Sequence, residues 1–135
     1  MPKYFVCKEI AFGLAFCVAL VLGVFTAVPA EAQDAVVSFR YNVQPILQSN
    51  CVECHRPGGQ GYEASGLALD SYAGLMRGTR HGPVIVAGDV MTSNLLRVVT
   101  GQTSSDIRMP FHRMQLPLAE TQVIQRWIQQ GAHDN

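Results

Sequence analysis

Lysine is missing from almost the whole chain: Lys3 and Lys8 are the only two. From Gln33 onward the basic residues are all arginine, at positions 40, 56, 77, 80, 97, 108, 113 and 126. They are matched by Asp34, Glu53, Glu63, Asp70, Asp89, Asp106, Glu120 and Asp134. A balanced chain with no basic stripe or tail excludes nucleic acid as an expected partner. It also excludes strong long-range steering toward a charged partner. Segments of alternating apolar and polar residues are missing too, as are internal repeats, which argues against a sandwich, a barrel or a solenoid. Cysteine is scarce, with Cys7, Cys17, Cys51 and Cys54 the full set.

The first two of those cysteines lie in a segment of a different character. Lys3 and Lys8 precede an uncharged run from Ile10 to Ala30, and Ala30-Glu31-Ala32 follows it. A basic start, an apolar middle and an A-x-A site make an export signal with cleavage after Ala32. The expected organisation is therefore a signal peptide over 1–32 and one domain over 33–135. The uncharged run is close to the ~20 residues that span a bilayer, so membrane attachment is expected only if the segment stays uncleaved. A lipoprotein is disfavoured, because bulky Phe16 precedes Cys17. Export places the domain in the periplasm or otherwise outside the cytoplasm.

Only Cys51 and Cys54 then remain, within Cys51-Val52-Glu53-Cys54-His55. C-x-x-C-H is the attachment pattern of a c-type haem. Two thiols three positions apart can each join one vinyl group of a porphyrin, and the adjacent imidazole can bind its iron axially. Zinc would need four ligands, usually from a second C-x-x-C or a close histidine pair. His81, His112 and His133 are too far apart to form that pair. The expected cofactor is one covalent haem c with its iron, held by Cys51, Cys54 and His55.

Helical punctuation runs through the rest. Pro45 suits a first helical turn, and Phe39, Val43, Ile46 and Leu47 share one side of a helical segment that ends at Cys51. Arg56–Gly61, with Pro57 and three glycines, is expected to be loop. Gly66–Leu69 reads as a short extended piece. Asp70 or Ser71 is expected to cap a helix over Ala73–Arg77, which Gly78 stops, and Ser93 to cap another over Asn94–Thr100, which Gly101 stops. Gly101–Pro110 reads as polar loop. Pro117–Gln130 is the clearest element, with Val123, Ile124, Trp127 and Ile128 on one face, Glu120 in the first turn and Gly131 after the end. The fold class is all-α, a small helical domain wrapped around one haem.

What fills the second axial position sets the chemistry. Methionine or histidine closes the iron and suits electron transfer, whereas an open position suits gas binding or peroxide chemistry. Met109 is the leading candidate: it follows a polar loop and precedes Pro110, and its thioether is a soft ligand. Met114, His112 and no protein ligand are the alternatives. Met76 and Met91 read as packing residues, and His81 and His133 as solvated or structural. Arg108 or Arg113 could pair with a haem propionate.

The ordered pieces Phe39…Val43-Gln44-Pro45-Ile46-Leu47, Cys51–His55, Gly66-Leu67…Leu69-Asp70, Gly82-Pro83-Val84-Ile85…Gly88-Asp89, Ser93–Leu96, Arg108-Met109-Pro110 and Trp127-Ile128…Gly131-Ala132 resemble the planctomycete-type cytochrome c domains, within the class I-like cytochromes c. The resemblance implies a small cytochrome c-like fold, covalent haem at Cys51 and Cys54, His55 as proximal ligand and Met109 as distal ligand. The family commonly has a second proline and a glycine after that methionine, where this chain has Phe111-His112-Arg113-Met114. It also commonly opens its last helix with Ser or Thr, where Ala119 stands here. The expected function is that of an exported monohaem carrier passing one electron at a time between unidentified redox donor and acceptor proteins, not an enzyme. The alternative is an open-site haem c protein in peroxide chemistry or gas sensing.

Overall fold

The computed structural model describes residues 35–135, and the expected signal peptide lies outside them. Residues Val36–Asn135 form a compact unit. All regular structure among the described residues is helical, apart from two isolated bridges, Thr79 with Gly82 and Val86 with Asp89. No helix among them is long and apolar enough to cross a membrane. The order is a wide π-type turn over Phe39–Val43, α1 (Gln44–Asn50), α2 (Gln60–Ser65), α3 (Tyr72–Arg77), α4 (Asn94–Val99), a 3-10 turn (Ser105–Ile107) and α5 (Leu118–Gln129).

The π-type turn feeds directly into α1, with Pro45 in its first turn, where a missing amide costs nothing. Val43 and Leu47 are fully enclosed, at 0% and 1% exposure. The core they enter is organised around α5. Ile124, Trp127 and Ile128 are buried on its inner face, and the N-terminal turn and α4 both pack against it. Phe39 and Tyr72 meet edge-on with ring centres 5.2 Å apart, and Trp127 lies 5.5 Å from Phe39. Rings prefer this tilted geometry because the positive edge of one faces the negative face of another. The polar handles of two rings point to the same short segment: the Trp127 indole N–H donates to the His133 carbonyl at 3.0 Å, and the Tyr72 hydroxyl donates to the Ala132 carbonyl at 2.9 Å.

Three expectations need correction. Arg56–Gly61 is not all loop, because α2 starts at Gln60 and takes in Gly61. Gly66, in the left-handed region at φ 79°, closes it; that conformation costs glycine little. Ser93 precedes α4 but does not cap it. Its hydroxyl is engaged by the preceding loop instead, accepting from the Val86 amide at 2.9 Å and donating to the Asp89 carbonyl at 2.6 Å. Met91 is 79% exposed and is not a packing residue, whereas Met76 does pack against the core. Ser71 caps α3 as expected, accepting from the Gly74 amide. No side chain caps α5, whose first turn has Pro117 before it.

Candidate functional site

Cys51 sits where α1 runs out, and the chain then folds into one tight turn. The Cys51 and Val52 amides still donate to the Leu47 carbonyl, at 2.8 and 3.0 Å. The Cys54 and His55 amides both donate to the Cys51 carbonyl, at 3.1 and 2.9 Å. Helix-like backbone through the motif therefore holds both thiols and the imidazole within one turn. The far side is fixed as well: the Tyr62 amide donates to the Cys54 carbonyl at 3.0 Å, and the Leu69 amide to the His55 carbonyl at 2.7 Å.

The two cysteines are free thiols in different settings. Cys51 is half-buried and Cys54 exposed. The Cys51 thiol is pushed up to about 11, by burial first and then by the nearby charges of Glu120 and Cys54. It therefore stays protonated at neutral pH. His55 is half-buried, and burial lowers its pKa, so the neutral imidazole is favoured. The Leu67 carbonyl pulls the other way. Nδ1 is enclosed, and its contact with the Leu67 backbone falls short of normal hydrogen-bond geometry.

Met109 lies on a separate segment. Its amide donates to the Val98 carbonyl at 3.0 Å, and its side chain is partly buried against the core. The bond to Pro110 is cis, and Pro110 is buried. The competing groups are placed differently. Met114 is 91% exposed, and His112 is exposed with its ring 3.9 Å from that of Phe111. A recess of about 340 Å³ beside them is lined by Ser105, Asp106, Arg108, Phe111 and His112. It contains none of Cys51, Cys54 and His55, so it is not by itself the centre of the site. The segment is linked to the cysteine turn by an ion pair, Arg113 to Glu53 at 2.6 Å. That contact engages Arg113 with a carboxylate of the protein, whereas Arg108 lines the recess. No sequence rule pairs residues 60 positions apart, so this link was not legible beforehand.

Residues 51–110 match the family model for planctomycete cytochrome c. These residues belong to the planctomycete cytochrome c family. The matched stretch opens on the C-x-x-C-H turn and closes on Met109-Pro110. No curated protein and no solved structure matches the chain. The helical fold, with no strand among the described residues, is that of a small cytochrome c-like domain. The family carries covalent haem c with its iron, and this cytochrome c domain has a donor set that suits it. Two unpaired thiols lie one turn apart, beside a neutral, half-buried imidazole whose Nδ1 lacks a hydrogen bond of normal geometry. Cytochrome c domains are typically exported proteins of electron transport.

Proposed function

We propose that this cytochrome c is an exported one-electron carrier whose single haem is held by thioethers from Cys51 and Cys54 and ligated by His55 and Met109. When bound, the haem supplies an iron that alternates between ferric and ferrous states. The protein's own part is to position, ligate and shield. The hydrogen-bonded turn from Cys51 to His55 presents two thiols and one imidazole together. Burial keeps His55 neutral, the form that can donate a lone pair to iron. The observation that carries the choice of Met109 is its burial against the core on a segment tied to the cysteine turn, while Met114 and His112 point to solvent. A thioether ligand favours the ferrous state and raises the potential. Electrons would pass from a reducing donor protein to an oxidising acceptor protein, and no nucleic acid is involved. Export rests on the pattern of residues 1–32.

The test is the ferric absorption spectrum of the purified protein and of Met109→Ala. The wild type should be low-spin with a methionine–iron charge-transfer band, and the variant should lose that band. A high-spin wild type, or prompt carbon monoxide binding by its reduced form, would favour an open-site protein in peroxide chemistry or gas sensing. A band that survives Met109→Ala but disappears in Met114→Ala would move the ligand to position 114.

A further inference from the structure

We propose that Gly61 is a positioning residue for the His55 imidazole: its missing side chain lets the α2 backbone lie on the ring face and set the plane of the ring. The proposal rests on the reading of His55 as the haem ligand and adds the group that orients it.

A Cβ placed on Gly61 would stand 2.8 Å from Cε1, 2.8 Å from Nε2 and 3.0 Å from Cδ2 of His55. Contacts that short do not survive between real atoms, so any side chain here would displace the ring or the helix. The near-equality of the three distances also gives the direction. The vertices of a five-membered ring are equidistant only from points over its centre. Residue 61 therefore approaches the face of the imidazole and not its edge. The Nε2 lone pair lies in the ring plane, so Gly61 restrains the ring without occupying the direction in which Nε2 binds a metal.

The contact is held from both sides. Next to Gly61, the Tyr62 amide donates to the Cys54 carbonyl at 3.0 Å, and beyond His55 the Leu69 amide donates to the His55 carbonyl at 2.7 Å. Gly59 shows the same close approach, since a Cβ there would meet the Cys54 carbonyl oxygen at 2.4 Å. The start of α2 is thus laid directly on the attachment turn at two glycines. Histidine ligands usually take their ring orientation from a hydrogen bond at the second nitrogen. For His55 the Leu67 backbone offers such a partner, but the contact falls short of normal hydrogen-bond geometry. Face contact with Gly61 adds a second, steric restraint on the ring.

The orientation of an axial imidazole plane fixes the magnetic axes of low-spin ferric iron, which gives a readout that mere stability does not move. In the ferric haem-loaded protein, Gly61→Ala should shift the electron paramagnetic resonance g-values and the pattern of paramagnetically shifted haem methyl signals. Gly74→Ala is the control: its Cβ would meet the Ala68 carbonyl oxygen at 2.8 Å, and none of its nearest atoms belongs to His55. It should lower thermal stability and leave both spectra as in the wild type. Unchanged spectra in Gly61→Ala, or equal changes in Gly74→Ala, would overturn the proposal. If Gly61→Ala does not fold, the reduced wild type decides. Nuclear Overhauser contacts from the Gly61 Hα protons to His55 Hδ2 and Hε1 support the proposal, and their absence overturns it. Failure of the ligand reading is distinguishable, because His55→Ala would then keep the low-spin ferric spectrum.

Discussion

Ser93 is fully buried, and its hydroxyl serves two backbone groups of the preceding loop, accepting from the Val86 amide and donating to the Asp89 carbonyl. Ser93→Ala would leave both without a side-chain partner. A buried polar group stripped of its partner costs about 1–3 kcal/mol, so denaturant unfolding should show a loss of that size. A loss near zero would mean that water replaces the hydroxyl. Asp89 closes the same loop from outside. The Thr92 hydroxyl, then the Thr92 amide, and after them the Met91 amide hold its carboxyl below the usual carboxylate range. The folded state therefore resists protonation more than the unfolded chain does. This stabilisation is complete above the ordinary carboxylate pKa of about 3.9 and is lost as pH falls through the lower folded value. Asp89→Ala should lower the melting temperature at pH 7, with the gap to wild type narrowing below about pH 4. A gap independent of pH would rule out the carboxylate as its source. At this scale the sequence was uneven as a guide. The closeness of Cys51, Cys54 and His55 was legible, because residues so near in sequence share one turn. Ser93 resembled a helix cap, because nothing local shows that Val86 and Asp89 compete for its hydroxyl.

The elements differ in how much of their structure is written locally. Helix α5 was legible almost to its ends, since Ile124, Trp127 and Ile128 repeat at helical spacing and all three are buried. Helix α2 was not. Its glycines forecast a loop by propensity, yet close approach to the Cys54–His55 backbone selects glycine and places it inside a helix. Tertiary packing has overridden local preference there, beside Cys54 and His55. The core side of α5 carries the larger energetic stake. Trp127→Ala would empty the space beside Phe39 and Tyr72 and remove the N–H bond to the His133 carbonyl. Removing a buried large aromatic costs about 3–5 kcal/mol, so equilibrium unfolding should show a deficit in that range. A loss below about 1 kcal/mol would mean that the neighbouring rings collapse into the gap.

In the proposed haem site, two stretches of the domain far apart in sequence would hold one cofactor. The cysteine turn is built by α1 and α2, and the Met109 segment hangs from Val98 and is tied back by Arg113 to Glu53. Both partners of that ion pair are exposed, at 51% and 71%, so screening by solvent leaves it a minor source of stability. Arg113→Ala is therefore expected to change thermal stability little. The order of motifs was legible in the sequence, but the tie between residues 53 and 113 was not, because only the fold brings them together. Covalent attachment can be read on the intact molecule under denaturing conditions. Cys51→Ser and Cys54→Ser should each retain some haem on the chain through one remaining thioether, and the double variant should retain none. Retention by the double variant would place the attachment elsewhere. Closure of the haem by His55 and Met109 stands or falls on the ferric absorption spectrum of the purified protein compared with that of Met109→Ala. The wild type should be low-spin with a methionine–iron charge-transfer band that the variant lacks, and a high-spin wild type or an unchanged band in the variant would contradict that ligation.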